Sequence, residues 1–373
     1  MTRTYDVAVI GAGMAGASLA AELAPHASVL VVEAEAMPGY HATGRSAAFW
    51  AECYGGPGVV PLTLASGGYL RDHGMLSPRG AIHLARAEDE PAVEAFMADF
   101  ADSGARIERL GRAAIERSVP GVRPEWIEAV AEPGCADIDV AALHQHYLSL
   151  ARQHGAELRV NARLESVERE GAAWRFSLGA AGEARVAVLV DAAGAWADEV
   201  AALAGARPLG ITPYRRTVIQ LRSEPAPPDD LPLVLDISGR FYFKPESGRL
   251  WLSPHDETPS SPSDVAPEEL DVAIAIDRFE RAVDWRVAAV ERKWAGLRSF
   301  APDRLPVYGF DPQREGFFWF AGQGGFGIQT APAAARLGAQ LLLGLPRDAM
   351  TEPLDPASYA AARFGRSQTG PLR

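Results

Sequence analysis

Two glycine-rich turns stand near opposite ends of the chain, and both are of a kind that holds an electron-rich ligand atom. The first is Gly11-Ala12-Gly13-Met14-Ala15-Gly16, which directly follows the strand-like run Asp6-Val7-Ala8-Val9-Ile10 and precedes the helical stretch Ala17 to Leu23. Its spacing is G-x-G-x-x-G. The first glycine permits a tight turn, the second lets backbone approach a pyrophosphate, and the third lets the helix pack closely on its strand. Val29 to Glu33 then reads as a second strand, ending about twenty residues on in a carboxylate able to accept the hydroxyls of an adenosine ribose. The second turn is Gln323-Gly324-Gly325-Phe326-Gly327-Ile328-Gln329, between the apolar run Phe317 to Gly322 and a helical pattern. Backbone N–H groups and a positive helix end suit such a turn to negative charge. The pair of turns points to a flavin.

Composition narrows the alternatives. A chain of 373 residues is long enough for two domains, and its net charge of -12 is the wrong sign for a nucleic-acid partner, which requires a clustered basic surface. Cys53 and Cys135 form no C-x-x-C and fit a reducing compartment. No apolar run approaches the length of a membrane span. Arg3 before an alanine-rich segment has the outline of a signal peptide, but Asp6 and three glycines interrupt it. The expected setting is soluble and cytoplasmic. Lys244 and Lys293 are the only lysines among 36 basic residues, so imine chemistry on a lysine has almost no candidate. His144 and His146 lie two apart on an expected helix and face away from each other, so they read as ordinary polar residues rather than joint metal ligands.

The elements that must position these turns follow from periodicity. Strands are expected at 6–10, 29–33, 82–85, 157–160, 163–169, 173–178, 185–191, 214–221, 240–244, 249–253, 293–297 and 317–321. Helices are expected at 14–24, 57–72, 89–103, 111–118, 139–154, 195–204, 268–283 and 327–343. Asp191-Ala192-Ala193-Gly194-Ala195-Trp196 ends a buried strand in small residues, which fits either a tight turn or a strand end that comes near a cofactor. The expected fold is α/β, α+β overall: a Rossmann-like dinucleotide-binding domain from 1–73, 139–206 and 298–373, and a mostly antiparallel substrate domain from 74–138 and 207–297.

With these residues in place the chain resembles the D-amino-acid oxidase (DAO) family of FAD-dependent oxidoreductases. The likeness rests, in order, on Asp6 to Gly16, Glu33, Gly39-Tyr40-His41-Ala42-Thr43-Gly44-Arg45-Ser46-Ala47-Ala48, Asp191 to Trp196, Trp294 to Phe300 and Gln323 to Gln329. Within the family it is similar to the bacterial D-arginine dehydrogenases through the Gly39 to Ala48 segment, Phe241-Tyr242-Phe243-Lys244-Pro245 and the Gln323 turn. The resemblance implies a non-covalent FAD. Gly11, Gly13, Met14, Ala15, Gly16 and Glu33 would take its ADP half, and Thr43, Gly44, Arg45, Ser46, Ala47 and Ala48 the pyrophosphate and flavin. Ala193, Gly194 and Trp196 complete the expected cofactor set, with Gly324, Gly325, Phe326, Gly327, Ile328 and Gln329 by the pyrimidine edge of the flavin. Negative charge gathers at that edge when the flavin accepts hydride at N5, and backbone donors stabilise it.

The implied reaction is oxidation of an amino acid to its imine, for which the substrate carboxylate must be held in a fixed orientation. Arg298 matches the family's carboxylate-binding arginine, and Arg216 rather than the adjacent Arg215 matches a second site arginine. Tyr54 and Tyr242 match aromatic residues bordering the substrate, and Gly325 and Gln329 match positions near its amine. Cys53 lies outside the family's covalent flavin attachment pattern. The chain departs from the arginine-specific pattern at Phe49, where a histidine is usual, and at Ala81, where a glutamate pairs the distal cation. A buried guanidinium without a counter-charge is disfavoured, so neutral apolar or aromatic substrates are expected. Trp251 stands where sarcosine-oxidase relatives carry an oxygen-activating lysine, which favours a dehydrogenase with another electron acceptor. An N-methyl or secondary amino-acid oxidase (sarcosine- or glycine-oxidase-like), and a flavin-bound biosynthetic tailoring or binding protein, are the alternatives.

Overall fold

The structure, a computed structural model, describes residues 3–365. The chain divides into two compact units, one from Met1–Gly44, Val140–Pro213 and Arg298–Arg373, the other from Arg45–Asp139 and Tyr214–Leu297.

The first unit is built on a parallel sheet. Arg3–Ile10 lies between Glu183–Asp191 and Val29–Val32, and Glu157–Arg159 and Phe317–Ala321 extend the parallel array on either side. Residues Val7 to Ile10 are buried on both faces, as a central parallel strand requires, and this is why the run is continuously apolar instead of alternating. The long strand Glu183–Asp191 changes partner along its length. Its first half pairs antiparallel with Ala173–Ser177, and Leu189 to Asp191 pair parallel with Phe317 to Trp319. Helix Met14–Leu23 packs against helices Val140–Gln153 and Ala331–Leu343, and its alanines and Gly16 allow the close approach.

The second unit carries a mainly antiparallel sheet in the order Arg286–Phe300 (through Leu297), Thr212–Glu224, Arg249–Ser253, Tyr242–Glu246, Leu233–Asp236, Ala81–Ala85, Glu128–Glu132 and Glu108–Gly111. Leu233–Asp236 and Ala81–Ala85 run parallel, in contrast to the antiparallel pairs on either side of them. A small second sheet joins Phe49–Trp50 and Leu76–Pro78 to Ala136–Ile138. One face of the large sheet is covered by helix Glu269–Ala282 through Val272, Ala275 and Phe279, which pack among Ile219, Phe243 and Leu252.

Several expectations need correction. Residues 45–73 were assigned to the dinucleotide-binding domain, but they lie in the second unit, because Phe49 pairs with Asp137 and packs beside Ala81 and Tyr242. The last helix begins at Ala331, not at 327. Gln323–Gly324 instead forms a short strand against Ser299 and Phe300, the glycines that follow disfavour helix, and Pro332 occupies the first helical turn. The strand expected at 293–297 runs from Arg286 to Phe300; its exposed first half is charged and lacked a strand pattern. The strand expected at 163–169 is Ser166–Glu170. Among the described residues, no helix is long and apolar enough to cross a membrane.

Candidate functional site

In the first unit the glycine turn is shaped by contacts that only glycine permits. Gly11 has φ +105°, and a Cβ there would stand 2.5 Å from the Ala192 carbonyl oxygen. A Cβ on Gly16 would stand 1.9 Å from the Gly11 carbonyl oxygen. Gly13 precedes the helix in extended conformation, so the turn delivers its amides at the positive end of Met14–Leu23. Thr43 is brought against this end: its Oγ1 accepts from the Met14 amide at 2.9 Å. Ala15 is half-buried in the first turn. Glu33 accepts from the Ala12 amide through Oε2 and the Glu35 amide through Oε1, both at 2.9 Å, which orients a carboxylate that still has lone pairs for ribose hydroxyls. These residues fit a dinucleotide, since the space a side chain would fill is kept clear beside N–H donors and an acceptor.

The segment after Asp191 adjoins the same turn. The Ala192 amide donates to Ile10, and the Ala193 amide to Asp191 Oδ1 at 3.1 Å. Gly194 has φ +58°, and Trp196 lies against His41 with ring centroids 4.7 Å apart. Asp191 itself is fully buried mid-sheet, and its Oδ2 has no hydrogen-bond partner. Burial pushes its carboxyl well above the usual range, against the one amide bond that lowers it, and nearby Asp198 adds to the rise. The native state therefore keeps a proton that the unfolded chain releases above about pH 3.8, so this group costs stability as pH rises. Asp191→Asn removes the titration. Its melting temperature relative to the wild type is expected to improve by on the order of 3 °C between pH 4 and pH 8, and a gap independent of pH would count against a neutral Asp191.

The carboxyl-terminal turn is fixed by packing. Gly324 has φ +55°, and a Cβ there would meet the Phe300 ring at 2.2 Å. Phe326 is buried with its ring centroid 6.0 Å from that of Phe300, and a Cβ on Gly327 would lie 2.7 Å from Gln323 Cβ. Gly325 and Ile328 are half-buried, and Gln329 is buried. Arg298, on the last residues of its strand, is half-buried, and the next two residues, Ser299 and Phe300, are held by pairing to Gly324 and Gln323.

In the second unit Phe49, Ala81, Tyr242, Val218 and Leu233 form one buried apolar cluster, against which Tyr54, Trp251 and Trp294 pack. Phe49 touches Tyr54 and Tyr242 at centroid distances of 5.3 and 6.0 Å. Register explains the assembly: Tyr242 faces Leu235, Leu235 faces His83, and Ala81 faces Glu132, so these side chains rise from one face of the sheet. Alternation also places Arg216, Val218 and Gln220 on one face and Arg215 on the other, where Arg215 pairs with Glu268 and Asp271. The Arg216 guanidinium donates to the Asp256 carbonyl at 2.7 Å and to Glu257 at 3.2 Å.

Ionic groups around this cluster are already committed. Lys244, 3% exposed, donates to Asp137 at 2.7 Å and Glu246 at 3.1 Å, and Arg79 donates to Asp137 at 2.6 Å. Lys244 also sits 5.5 Å above the Trp251 ring. Glu132 was not foreseen: it is 1% exposed and accepts from His83 at 2.7 Å and the Cys53 amide at 2.9 Å, which anchors the turn that carries Tyr54. Burial pushes Glu132 up, but the His83 contact and the Cys53 amide outweigh it and hold the carboxyl below its usual range. Burial and Glu132 push the Cys53 thiol far up, so it is not a thiolate. Arg45 was expected along the cofactor; its guanidinium pairs with Asp264 at 2.5 Å and donates to the Ala295 carbonyl at 3.1 Å. Ala47 is buried, Ser46 and Ala48 are half-buried, and the Ala48 carbonyl accepts from Ile138. Gly44 is exposed, and its amide donates to Gly39 at 2.7 Å. His144, read as an ordinary polar residue, is buried against the glycine turn with Nε2 2.8 Å from the Ala12 carbonyl oxygen.

Known proteins carry the same organisation. Over 98% of its length the chain is 25% identical to hydrogen cyanide synthase subunit HcnC of Pseudomonas aeruginosa, covering 97% of that protein. It is 25% identical to glycine oxidase of Geobacillus kaustophilus over 92% of this chain and 94% of the relative. The crystal structure of glycine oxidase from Geobacillus kaustophilus superposes with a TM-score of 0.82 at 24% identity, covering 96% of this chain and 98% of that one. That of L-proline dehydrogenase from P. horikoshii reaches 0.85 at 21% identity, with 100% of each chain covered. The family profile described as DAO, FAD dependent oxidoreductase, matches residues 6–341, a span that opens on the first strand of the glycine cradle and closes in the helix after the Gln323 turn. The chain belongs to the DAO family of FAD-dependent oxidoreductases.

Proposed function

We propose that this protein oxidises a free D-amino acid with a neutral, apolar or aromatic side chain to the corresponding imino acid. The observation that carries the side-chain preference is the cluster of Phe49, Tyr54, Ala81 and Tyr242. Ala81 is buried among apolar groups, and the carboxylate that faces it across the strand pair, Glu132, is bound by His83 and the Cys53 amide. A distal guanidinium or ammonium buried here would lack a counter-charge, at a cost of several kcal/mol, on the order of 3.

Gly11, Gly13, Gly16, Glu33 and Thr43 would hold FAD, with Gly324 to Gln329 toward its electron-rich edge. FAD, when bound, supplies a two-electron acceptor. The chain's own groups bind and orient. Arg298 would grip the substrate carboxylate as a two-pronged donor, and Gly325 and Gln329 would lie near the amine. Arg216 is held by Asp256 and Glu257, and Arg298 is assigned the carboxylate because it matches the family's carboxylate-binding arginine. With the substrate amine neutral, its lone pair assists loss of the α-hydrogen, and no strong protein base is required. Trp251 has a lysine beside it, but Lys244 is neutralised by Asp137 and Glu246. That pairing of Lys244 supports an electron acceptor other than oxygen.

Anaerobic flavin bleaching across D-, L- and N-methyl amino acids, followed by admission of oxygen, tests this reading. D-leucine, D-methionine and D-phenylalanine are expected to give kcat/KM at least about tenfold above D-arginine, with slow reoxidation by oxygen. A higher value for D-arginine would overturn the pocket assignment. Preferential bleaching by glycine or sarcosine would instead support a secondary-amine or glycine-oxidase-like activity, the reading favoured by the likeness to the two glycine oxidases of Pseudomonas aeruginosa and Geobacillus kaustophilus.

A further inference from the structure

Ala12 is gripped through both of the peptide groups that flank it. Its N–H donates to Glu33 Oε2 at 2.9 Å, and its carbonyl lies 2.8 Å from His144 Nε2. A carbonyl can only accept, so Nε2 carries the proton, and burial lowers the imidazole pKa, which keeps the ring in that neutral form. His144 also adjoins Gly39, which leads into the second cofactor segment. A Cβ on Gly39 would stand 2.8 Å from His144 Cε1 and 3.1 Å from Nδ1, and the Gly39 carbonyl accepts from Gly44, next to the Thr43 hydroxyl that receives the Met14 amide. The imidazole thus touches the glycine turn and, through Gly39, supports the Thr43 segment assigned to the dinucleotide.

We propose that His144 is a positioning residue for FAD: by holding the Ala12 carbonyl it aims the Gly13 N–H, and by packing on Gly39 it sets the approach of the Thr43 loop. The physical reason lies in the peptide plane. In a trans peptide the carbonyl of one residue and the N–H of the next point in opposite directions. A donor that fixes the Ala12 carbonyl toward helix Val140–Gln153 therefore turns the Gly13 N–H to the other side of the turn, where the second glycine of the fingerprint meets a pyrophosphate. A carbonyl left without this donor is free to rotate, and the N–H moves with it.

The side-chain geometry allows a sharp test. A glutamine amide nitrogen reaches the place of Nε2, an asparagine amide only that of Nδ1, and leucine offers no donor. Full-length His144→Gln, His144→Asn and His144→Leu are prepared with FAD removed, and FAD affinity is titrated by quenching of flavin fluorescence. Melting of the FAD-free proteins and amide exchange at Gly13 are measured in parallel. His144→Asn and His144→Leu are expected to raise the Kd for FAD by about tenfold or more, and His144→Gln by about threefold or less. Gly13 exchange is expected to quicken in the Asn variant and not in the Gln variant. Should leucine prevent folding, the Gln and Asn variants, matched in polarity, still decide the matter. Wild-type FAD affinity in the Asn variant, or equal loss in the Gln and Asn variants, overturns the proposal. The readouts are independent of which amino acid is oxidised.

Discussion

Arg298→Ala is expected to lower kcat/KM for the preferred amino acid by about 10²- to 10³-fold, with most of the loss in KM, while the thermal stability of the protein changes little. The magnitude follows from the proposed role, since losing a bidentate, charge-assisted carboxylate contact would also leave the reacting carbon unoriented. The small stability effect follows from position. The residue is half-buried, and the backbone just after it is held by the pairing of Ser299 and Phe300 with Gly324 and Gln323. Arg298→Lys keeps the charge and loses the fork, so it is expected to fall between the two, at about tenfold below the wild type. An amine that matches the substrate but lacks the carboxylate separates binding from damage: its weak turnover is expected to be the same in wild type and Arg298→Ala. Steady-state kinetics of the alanine variant indistinguishable from wild type would remove Arg298 from the site.

Gly11→Ala is expected to yield protein that purifies without flavin, with bound FAD falling to about one-tenth of the protein or less. Two costs coincide at this position. A φ of +105° is unfavourable by roughly 1–3 kcal/mol for any residue with a side chain. The added Cβ would also meet the Ala192 carbonyl oxygen at 2.5 Å and the Ala192 carbonyl carbon at 3.0 Å, and both are backbone atoms that cannot rotate away. The turn must shift, and the amides it presents shift with it. Gly68→Ala is the appropriate control, because that glycine lies in helix Val60–Asp72 with nothing within 4 Å of an added Cβ. It is expected to hold FAD fully and to gain up to about 1 kcal/mol in stability. The absorbance ratio of flavin to protein after gel filtration reads both outcomes, and stoichiometric FAD in Gly11→Ala would show that the cradle tolerates a side chain.

The strand, turn and helix around Gly11 to Gly16 were the most legible. Val7 to Ile10 has the unbroken apolar character of a strand covered on both faces, and the glycines that follow leave one local solution, so strand, turn and helix appear where the spacing placed them. Glu128–Glu132 was invisible for the opposite reason. Its sequence, Glu-Ala-Val-Ala-Glu, has no intrinsic strand preference, and it is a strand only because Ala81–Ala85 and Glu108–Gly111 offer it two edges. The charged first half of Arg286–Phe300 differed from expectation through the same dependence on partners.

The sequence alone determined the cofactor class, because the glycine spacing and Glu33 act through local geometry that a few consecutive residues specify, and its resemblance to the family named the candidate groups. Only the tertiary structure decided what those groups touch. Phe49, Ala81 and Tyr242 are far apart in the chain and became one apolar surface through strand register. Arg45 and Lys244 were consumed by Asp264 and Asp137, and Glu132 by His83 and the Cys53 amide, so charges that composition alone left available were neutralised. His144, read as ordinary polar, was pressed against a carbonyl 132 positions away. A buried polar group must find a partner, and which partner it finds is a property of the folded chain.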